Sequence, residues 1–157
     1  MNYFSILQIP LHPCPDQNLV QQQYLQLQQQ FHPDLQNEVD ADFSANLNVA
    51  YQTLHNPFLA SCYWLKLHGI DIFSESCQVK PTTSILQEVF ALHNSINSSN
   101  KATIKQNLQQ KIKLALENIS PLYQNYLNQQ TNALVDFALH LMTIQYYQKT
   151  LNNLHQL

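Results

Sequence analysis

The tripeptide His32-Pro33-Asp34 places an imidazole and a carboxylate two residues apart, at a corner that proline makes rigid. These groups suit acid–base chemistry, metal binding, or directional hydrogen bonds to a partner protein. No second carboxylate or histidine cluster lies at the spacing of a metal site or a catalytic pair. A small metal-dependent hydrolase is therefore the least favoured hypothesis. Recognition of a partner remains, as does an ordinary turn between helices, since proline and aspartate both favour turns.

The other residues that often carry chemistry are dispersed along the sequence. Six further histidines are scattered and are expected at surface or half-buried positions: His12, His55, His68, His93, His140 and His155. The cysteines Cys14, Cys62 and Cys77 form no CxxC pair and are odd in number, which fits inert thiols in a reducing compartment. We therefore expect neither a metal nor a cofactor.

The composition indicates a nearly all-helical chain. Its 157 residues are enough for one substantial hydrophobic core or two small ones, and 45% of them are hydrophobic. The single glycine argues against a β-rich fold with many tight turns and against a glycine-rich phosphate loop. No apolar run approaches the ~18 residues of a membrane span. We expect a cytoplasmic protein, or one of the mitochondrial matrix if it is eukaryotic and has lost a leader.

Charged residues are scarce and unevenly distributed. They make up 11% of the chain, arginine is absent, and all seven lysines lie at Lys66 or later. Residues 1–65 contain five carboxylates and no lysine, so their net charge is −5 with histidine neutral. Nucleic acids and anionic membrane surfaces both bind clustered cationic side chains, so neither is an expected partner.

The first half of the chain contains an amphipathic helical pattern on each side of the tripeptide. Asp16 is an N-cap candidate for a helix over residues 17–31. A second helix begins at Asp40 or Asp42 and runs to residue 54, before Asn56-Pro57. The apolar stripes are expected to form the core of an antiparallel hairpin: Val20, Tyr24, Leu27 and Phe31 on one helix, and Phe43, Leu47, Ala50, Tyr51 and Leu54 on the other.

The rest of the sequence predicts a third apolar helix, a linker and a three-helix bundle. Residues 58–67 form the helix, and Gly69 follows it as a C′ residue. Residues 70–81 contain polar breaks and form the linker. The bundle helices are expected over residues 82–96, over 101–118, and from an N-cap at Ser120 and a first-turn Pro121 to about His155. Short loops between them imply antiparallel packing.

Two stretches of the sequence resemble the HscB family of J-domain co-chaperones. The N-terminal pattern resembles a J-domain through Asn2-Tyr3-Phe4, Ile9-Pro10, His32-Pro33-Asp34 and Ala50-Tyr51-Gln52-Thr53-Leu54. The stretch 56–71 is similar to the segment by which that family joins its J-domain to a C-terminal bundle. The resemblance covers essentially the whole chain. It implies an all-α protein with a J-domain helical hairpin over 1–69, a linker over 70–81 and a scaffold-binding three-helix bundle over 82–157.

The resemblance implies a protein that is no enzyme and that acts in iron–sulfur cluster assembly. Its J-domain would stimulate ATP hydrolysis by a DnaK-type, HscA-like chaperone, which His32, Pro33 and Asp34 would contact. Its bundle would deliver an IscU-type scaffold protein to that chaperone. The scaffold-binding residues implied by the family are Leu86, Gln87, Phe90, Ala91, Asn94 and Tyr146. No zinc is expected, because the cysteine pairs of some family members are absent.

Some of these residues allow two interpretations from sequence alone. Leu86 and Phe90 have the spacing of helical core residues as well as that of an exposed interface. Tyr146 lies beside Tyr147, and the sequence does not decide which of the two faces outward.

The sequence departs from the family pattern on the helix before the tripeptide. J-domains usually carry lysine or arginine there, whereas residues 21–30 contain neither, and Leu35 follows Asp34. Ala91 and Asn94 replace carboxylates that face the scaffold in the family. We therefore expect coupling to the chaperone that is weaker and less salt-sensitive, or matched to a co-adapted partner. The alternative hypothesis is a helical scaffold-binding module whose J-like domain no longer couples to a chaperone.

Overall fold

The computed structural model describes residues 2–31 and 38–156, without the side chains of residues 38–41 and 156. Helices account for all the regular structure in these ranges, and no strand occurs in them. The all-α prediction is therefore confirmed. The chain divides into two compact units, Met1–Trp64 (unit 1) and Leu65–Leu157 (unit 2). The domain boundaries predicted after residues 69 and 81 stay predictions.

Eight helices lie in the described ranges. In chain order they are α1 (Tyr3–Ile6), α2 (Gln17–Gln30), α3 (Glu38–Leu54), α4 (Pro57–Leu67), α5 (Thr83–Ser95), α6 (Lys101–Glu117), α7 (Ile119–Leu127) and α8 (Ala133–Gln156). Helix α3 begins at Glu38, a little before the predicted Asp40 or Asp42. The other bounds agree with the expected ones to within a residue or two as far as the end of α6.

Helix α2 begins where the sequence predicts. The carboxylate of Asp16 accepts hydrogen bonds from the N–H groups of Asn18 (2.8 Å) and Leu19 (3.3 Å), and so caps the first turn. At the other end, the N–H of Phe31 donates to the carbonyl of Leu27 (3.0 Å). The capping aspartate therefore fixes where the helix starts, and α2 stops just ahead of the tripeptide.

Helices α1, α2 and α3 enclose the core of unit 1, in which α1 and α2 both pack against α3. The fully or nearly fully buried side chains of α2 and α3 are Val20, Leu27, Leu47, Ala50 and Leu54. They belong to the two stripes that the sequence periodicity indicates, so α2 and α3 pack through the expected faces.

The expectation that the aromatic residues of the stripes belong to this core is wrong, because Tyr24, Phe31, Phe43 and Tyr51 are all half-buried. Tyr51 shows how such a residue packs. Its side chain is half-buried, and its ring stacks on those of Tyr24 (4.0 Å between centroids) and His55 (4.9 Å). The hydroxyl of Tyr24 donates a hydrogen bond to Oδ1 of Asn48 (2.8 Å). Because Tyr51 follows the buried Ala50, it lies at the edge of the α2–α3 interface, where a phenol packs its ring and keeps its polar end accessible.

Unit 2 is built around α5, α6 and α8, and α7 packs against α8. One core cluster joins the three main helices through Ile85, Ile104, Leu108, Tyr147 and Leu154. Helices α6 and α8 are antiparallel, since Nε2 of His140 lies 2.6 Å from the carbonyl oxygen of Ala115, while Lys111 lies over the ring of Tyr147. These three helices form the predicted bundle.

The prediction of one last helix from residue 121 to residue 155 is wrong. The segment consists of two helices, α7 and α8, separated by residues 128–132. Ser120 and Pro121 lie inside α7, whose N-cap residue is Asn118. Proline is tolerated there because N–H groups in the first turn of a helix have no intrahelical partner.

A hydrogen-bonded turn in the left-handed region ends α7. Gln129 has a φ of 54°, and its N–H donates to the carbonyl of Tyr126 (3.0 Å). The N–H of Gln130 donates to the carbonyl of Asn125 (3.1 Å), which completes a Schellman motif. Asn132, with a φ of 63°, precedes α8. All residues of the break are polar, so no apolar contact holds a continuous helix across it.

Candidate functional site

The residues predicted to bind partners fall in two parts of the sequence, the tripeptide between α2 and α3 and positions on α5 and α8. His32, Pro33 and Asp34 lie outside the described residues, so their role stays a prediction. Helices α2 and α3 lie on either side of them, with residues 31–37 between the two helices.

The outward surface of α2 is uncharged. Its exposed residues are Asn18, Gln21, Gln22, Leu25, Gln26, Gln28, Gln29 and Gln30. Leu25 is 47% exposed and is the large hydrophobic residue on this face. Glutamine side chains offer hydrogen bonds without net charge, so this surface attracts a partner only at short range.

On α5, the structure decides whether Leu86 and Phe90 are core or surface residues. Ile85 is buried, whereas Leu86 is 42% exposed and Phe90 is 70% exposed. The remaining predicted residues of this helix, Gln87, Ala91 and Asn94, are exposed as well. Leu86, Phe90 and Asn94 are four residues apart and so form one ridge along the helix, with Gln87 and Ala91 beside it. We call these five residues the α5 ridge.

The structure also distinguishes the two neighbouring tyrosines of α8. Tyr147 is buried in the bundle core, with 8% of its surface exposed. Tyr146 is half-buried and packs against the edge of the same core cluster. Tyr146, the predicted scaffold-binding residue, is thus the one of the pair that is partly accessible.

Helix α8 brings Tyr146 next to the apolar side of the α5 ridge. The hydroxyl of Thr150 lies 3.4 Å from Nε2 of His93, so this edge of α8 faces this edge of α5. Tyr146 precedes Thr150 by one helical turn, and its carbonyl accepts a hydrogen bond from that hydroxyl (2.9 Å). Leu86 and Phe90 lie seven and three residues before His93, on the same side of α5. Leu86, Phe90 and Tyr146 therefore lie along the facing edges of α5 and α8.

A polar cluster behind the ridge was not anticipated from the sequence. Glu88 of α5 forms an ion pair with Lys111 of α6, and the hydroxyl of Tyr147 donates to both carboxylate oxygens of Glu88 (3.1 Å each). The ammonium group of Lys111 also lies 5.2 Å from the centre of the Tyr147 ring. One carboxylate thus links all three bundle helices. A sequence signal exists, because Glu88 lies three residues after the core residue Ile85 and is the one carboxylate of α5.

These contacts shift the pKa values of the three groups. The hydrogen bond from Lys111 lowers the pKa of Glu88, and the same bond raises the pKa of Lys111. Burial raises the pKa of Tyr147, and its hydrogen bond to Glu88 acts in the same direction. At neutral pH the cluster consists of a carboxylate, an ammonium and a neutral phenol, so Glu88 presents no unpaired charge to a partner.

A groove of about 440 Å³ runs between α5 and α6 on the other side of the ridge. Its lining residues are Glu88, Ala91, Leu92, Ser95, Ile104, Asn107, Leu108 and Lys111. Ala91 belongs to both the groove and the ridge, so the accessible surface of α5 continues into a shallow, mostly apolar depression.

Residues 2–31 and 38–156 contain no group of three or more histidine, cysteine or carboxylate side chains that could hold a metal ion. Within the same ranges, no helix combines the length and apolar character needed to cross a membrane.

The fold is similar to that of solved co-chaperones. The crystal structure of human co-chaperone protein HscB superposes with a TM-score of 0.80 at 23% sequence identity, covering 99% of this chain and 81% of that one. Chaperone HscB from Vibrio cholerae gives a TM-score of 0.73 at 23% identity, with 99% and 96% covered. The chain therefore shares the all-helical fold of these two proteins.

Sequence comparison identifies the family. The chain is 33% identical over 124 residues to co-chaperone protein HscB of Proteus mirabilis (strain HI4320), a match that covers 74% of this chain and 71% of the relative. It is 35% identical over 96 residues to the co-chaperone protein HscB homolog of Psychromonas ingrahamii, with 57% of each chain covered. No protein-family model matches the sequence. The chain belongs to the HscB co-chaperone family.

Proposed function

We propose that this protein stimulates ATP hydrolysis by a DnaK-type, HscA-like chaperone and delivers an IscU-type scaffold to it during iron–sulfur cluster assembly and transfer. Membership of the HscB family supports the proposal. The observation that carries it is the α5 ridge, where Phe90 and Leu86 stand exposed on a bundle that already has a complete apolar core. The protein acts in the bacterial cytoplasm, or in the mitochondrial matrix if it is eukaryotic.

In the chaperone-directed half, His32, Pro33 and Asp34 form the contact. Proline fixes the corner, the carboxylate of Asp34 accepts charge-assisted hydrogen bonds, and His32 contributes a directional hydrogen bond. Stimulation then follows from preferential binding to the hydrolysis-competent conformation of the chaperone, with no chemistry in this chain. Because α2 carries no lysine or arginine, it supplies none of the salt-sensitive attraction that such cations give toward an acidic chaperone surface.

In the scaffold-directed half, the apolar residues of the ridge supply most of the binding energy. Fully burying an exposed phenylalanine contributes about 1.5–3 kcal/mol, and Phe90 is 70% exposed in the free protein. That contribution corresponds to roughly a tenfold to hundredfold change in affinity. Leu86 and Tyr146 extend the apolar contact, while Gln87 and Asn94 can complete it with hydrogen bonds.

Single-turnover ATP hydrolysis by the cognate chaperone tests the proposed stimulation by the tripeptide. The native chain should accelerate hydrolysis, and His32→Gln should remove the acceleration. His155→Gln, the same exchange at an exposed site near the end of α8, is the matched control and should behave like the native chain. Equal stimulation by the native chain and His32→Gln would contradict the proposed role of the tripeptide.

Calorimetric measurement of binding to the IscU-type scaffold tests the proposed role of the α5 ridge. Phe90→Ser should weaken binding tenfold or more. Phe73→Ser is the matched control, because Phe73 is also exposed in unit 2 but lies outside the ridge, and it should change affinity less than about twofold. Scaffold binding that Phe90→Ser leaves intact would refute the assignment of the ridge.

The alternative function is a scaffold-binding module that no longer couples to a chaperone. The observation that favours it is the uncharged surface of α2. The two functions differ in one result, since the module would bind the scaffold through the ridge and leave the rate of ATP hydrolysis unchanged.

A further inference from the structure

We infer that Lys149 is a specificity-determining residue, and that the partner surface docking on the α5 ridge and Tyr146 is apolar with a carboxylate at the edge facing Lys149. This inference rests on the proposed scaffold binding and deepens it, because it names the charge that the scaffold must carry. It follows from which charges near the ridge are already compensated and which are not.

The first step concerns the carboxylates of α5 and α8. These two helices contain only Glu88 and Asp136 as acidic residues. Glu88 is held by Lys111 and the hydroxyl of Tyr147, so its charge is compensated inside the bundle. Asp136 precedes Lys149 by thirteen residues on one helix, about 20 Å at 1.5 Å per residue. That separation exceeds the Debye length of about 8 Å at physiological salt, so Asp136 does not neutralise Lys149.

The second step concerns Lys149 itself. Its ammonium group lies 5.8 Å from the centre of the Tyr146 ring, and the residue is exposed. It makes no ion pair in the part of unit 2 that the structure describes. A cation over an aromatic face has an attractive but weak partner, which leaves it available to a carboxylate from another molecule. Lys149 is thus the uncompensated charge beside the exposed apolar residues.

The third step concerns the charge of the two units. Unit 1 contains five carboxylates and no lysine, while unit 2 contains seven lysines and five carboxylates, a net charge of +2. An acidic partner surface is therefore repelled by unit 1 and attracted by unit 2. The charge distribution and the position of Lys149 select the same partner chemistry, an apolar patch with an acidic edge.

The test measures the affinity of the full chain for the IscU-type scaffold of the same organism. Lys149→Glu should weaken binding about threefold to tenfold near 0.1 M salt, the range expected for reversing one charge at the rim of an interface. Lys149→Arg should bind like the native chain. Lys113→Glu is the matched control, because Lys113 is exposed on the side of α6 away from the core, and it should change affinity less than twofold.

Salt dependence separates an electrostatic role from a structural one. The difference between the native chain and Lys149→Glu should vanish near 1 M salt, where the Debye length is about 3 Å. Exchanging acidic residues of the scaffold for lysine, one at a time, should yield one variant that restores the affinity of Lys149→Glu.

The outcomes distinguish this inference from the proposed function. A native chain that does not bind the scaffold at all refutes the proposed function together with the inference. Binding that depends on Phe90 but in which Lys149→Glu is no weaker than Lys113→Glu refutes the inference alone. Tighter binding by Lys149→Glu also refutes it, because the edge of the partner would then be basic.

Discussion

The cluster of Glu88, Lys111 and Tyr147 gives the sharpest stability prediction. Glu88→Gln keeps the size of the side chain and one oxygen for the Tyr147 hydroxyl, but removes the negative charge that pairs with Lys111. The two charged side chains are 40% and 51% exposed, so solvent screens their attraction. An exposed ion pair contributes about 0.2–1 kcal/mol, and a net hydrogen bond about 1 kcal/mol. We expect Glu88→Gln to lower the free energy of unfolding by about 1 kcal/mol at pH 7.

The pH dependence of this loss follows from the pKa shifts. The folded-state pKa of Glu88 lies below its ordinary value of 4.5, so the stabilisation is complete above pH 4.5 and disappears as the pH falls through the folded value. The pKa of Lys111 is raised above 10.5, so its part persists up to that pH and is lost at higher pH. Native protein and Glu88→Gln should therefore differ by a constant amount between about pH 5 and pH 10, and converge in acid.

Urea denaturation of the whole chain, followed by far-ultraviolet circular dichroism at several pH values, measures this difference. Glu117→Gln is the matched control, since Glu117 lies at the exposed end of α6. It should change stability by less than about 0.5 kcal/mol. The explanation fails if the loss caused by Glu88→Gln persists unchanged from pH 7 to the most acidic pH at which the protein is still folded, or equals that of Glu117→Gln.

Four further substitutions test local structure and core packing by urea denaturation. Asp16→Ala should cost about 1 kcal/mol because it removes the N-cap of α2, and an unchanged midpoint would contradict the capping role. Gly69→Ala should cost about 1 kcal/mol because Gly69 has a φ of 93°, although no atom lies within 4 Å of the added methyl. Gln129 has a φ of 54°, so Gln129→Gly should instead stabilise the protein by several tenths of a kcal/mol. Leu108→Ala should cost about 2–5 kcal/mol because Leu108 is buried in the core. Its control, Leu114→Ala at an exposed site, should cost less than about 0.5 kcal/mol. Similar losses at both sites would refute the assigned core.

The sequence predicts those features that depend on neighbours within one helical turn. The cap at Asp16 is a bond from a side chain to N–H groups two and three residues later, so the residue type alone indicates it. The end of α4 is indicated by Gly69, since glycine readily adopts the left-handed conformation found there. Gln8 and Gln129 adopt the same conformation after α1 and α7 without glycine, and their residue type gives no such signal.

The same distinction between local sequence signals and tertiary packing applies to the candidate sites. The resemblance to the HscB family indicates the tripeptide His32-Pro33-Asp34 and the residues of the α5 ridge, and their partner-binding roles stay predictions. The sequence left open whether Leu86 and Phe90 are buried, because a stripe at helical spacing has the same pattern whether it faces a core or water. The structure places Ile85 in the core and those two residues on the surface.

The amino-acid sequence by itself determined an all-helical chain and most of its helix ends, because these depend on local capping and on apolar periodicity. It also determined the family resemblance, which depends on the tripeptide His32-Pro33-Asp34 and the stretch 56–71. Tertiary structure decided that Tyr147 is buried and Tyr146 accessible, and that Glu88 is compensated while Lys149 is not. The partners of Glu88 lie 23 and 59 residues further along the chain. Only the packing of three helices brings such distant side chains together, and that packing sets which charges and apolar groups remain for a partner.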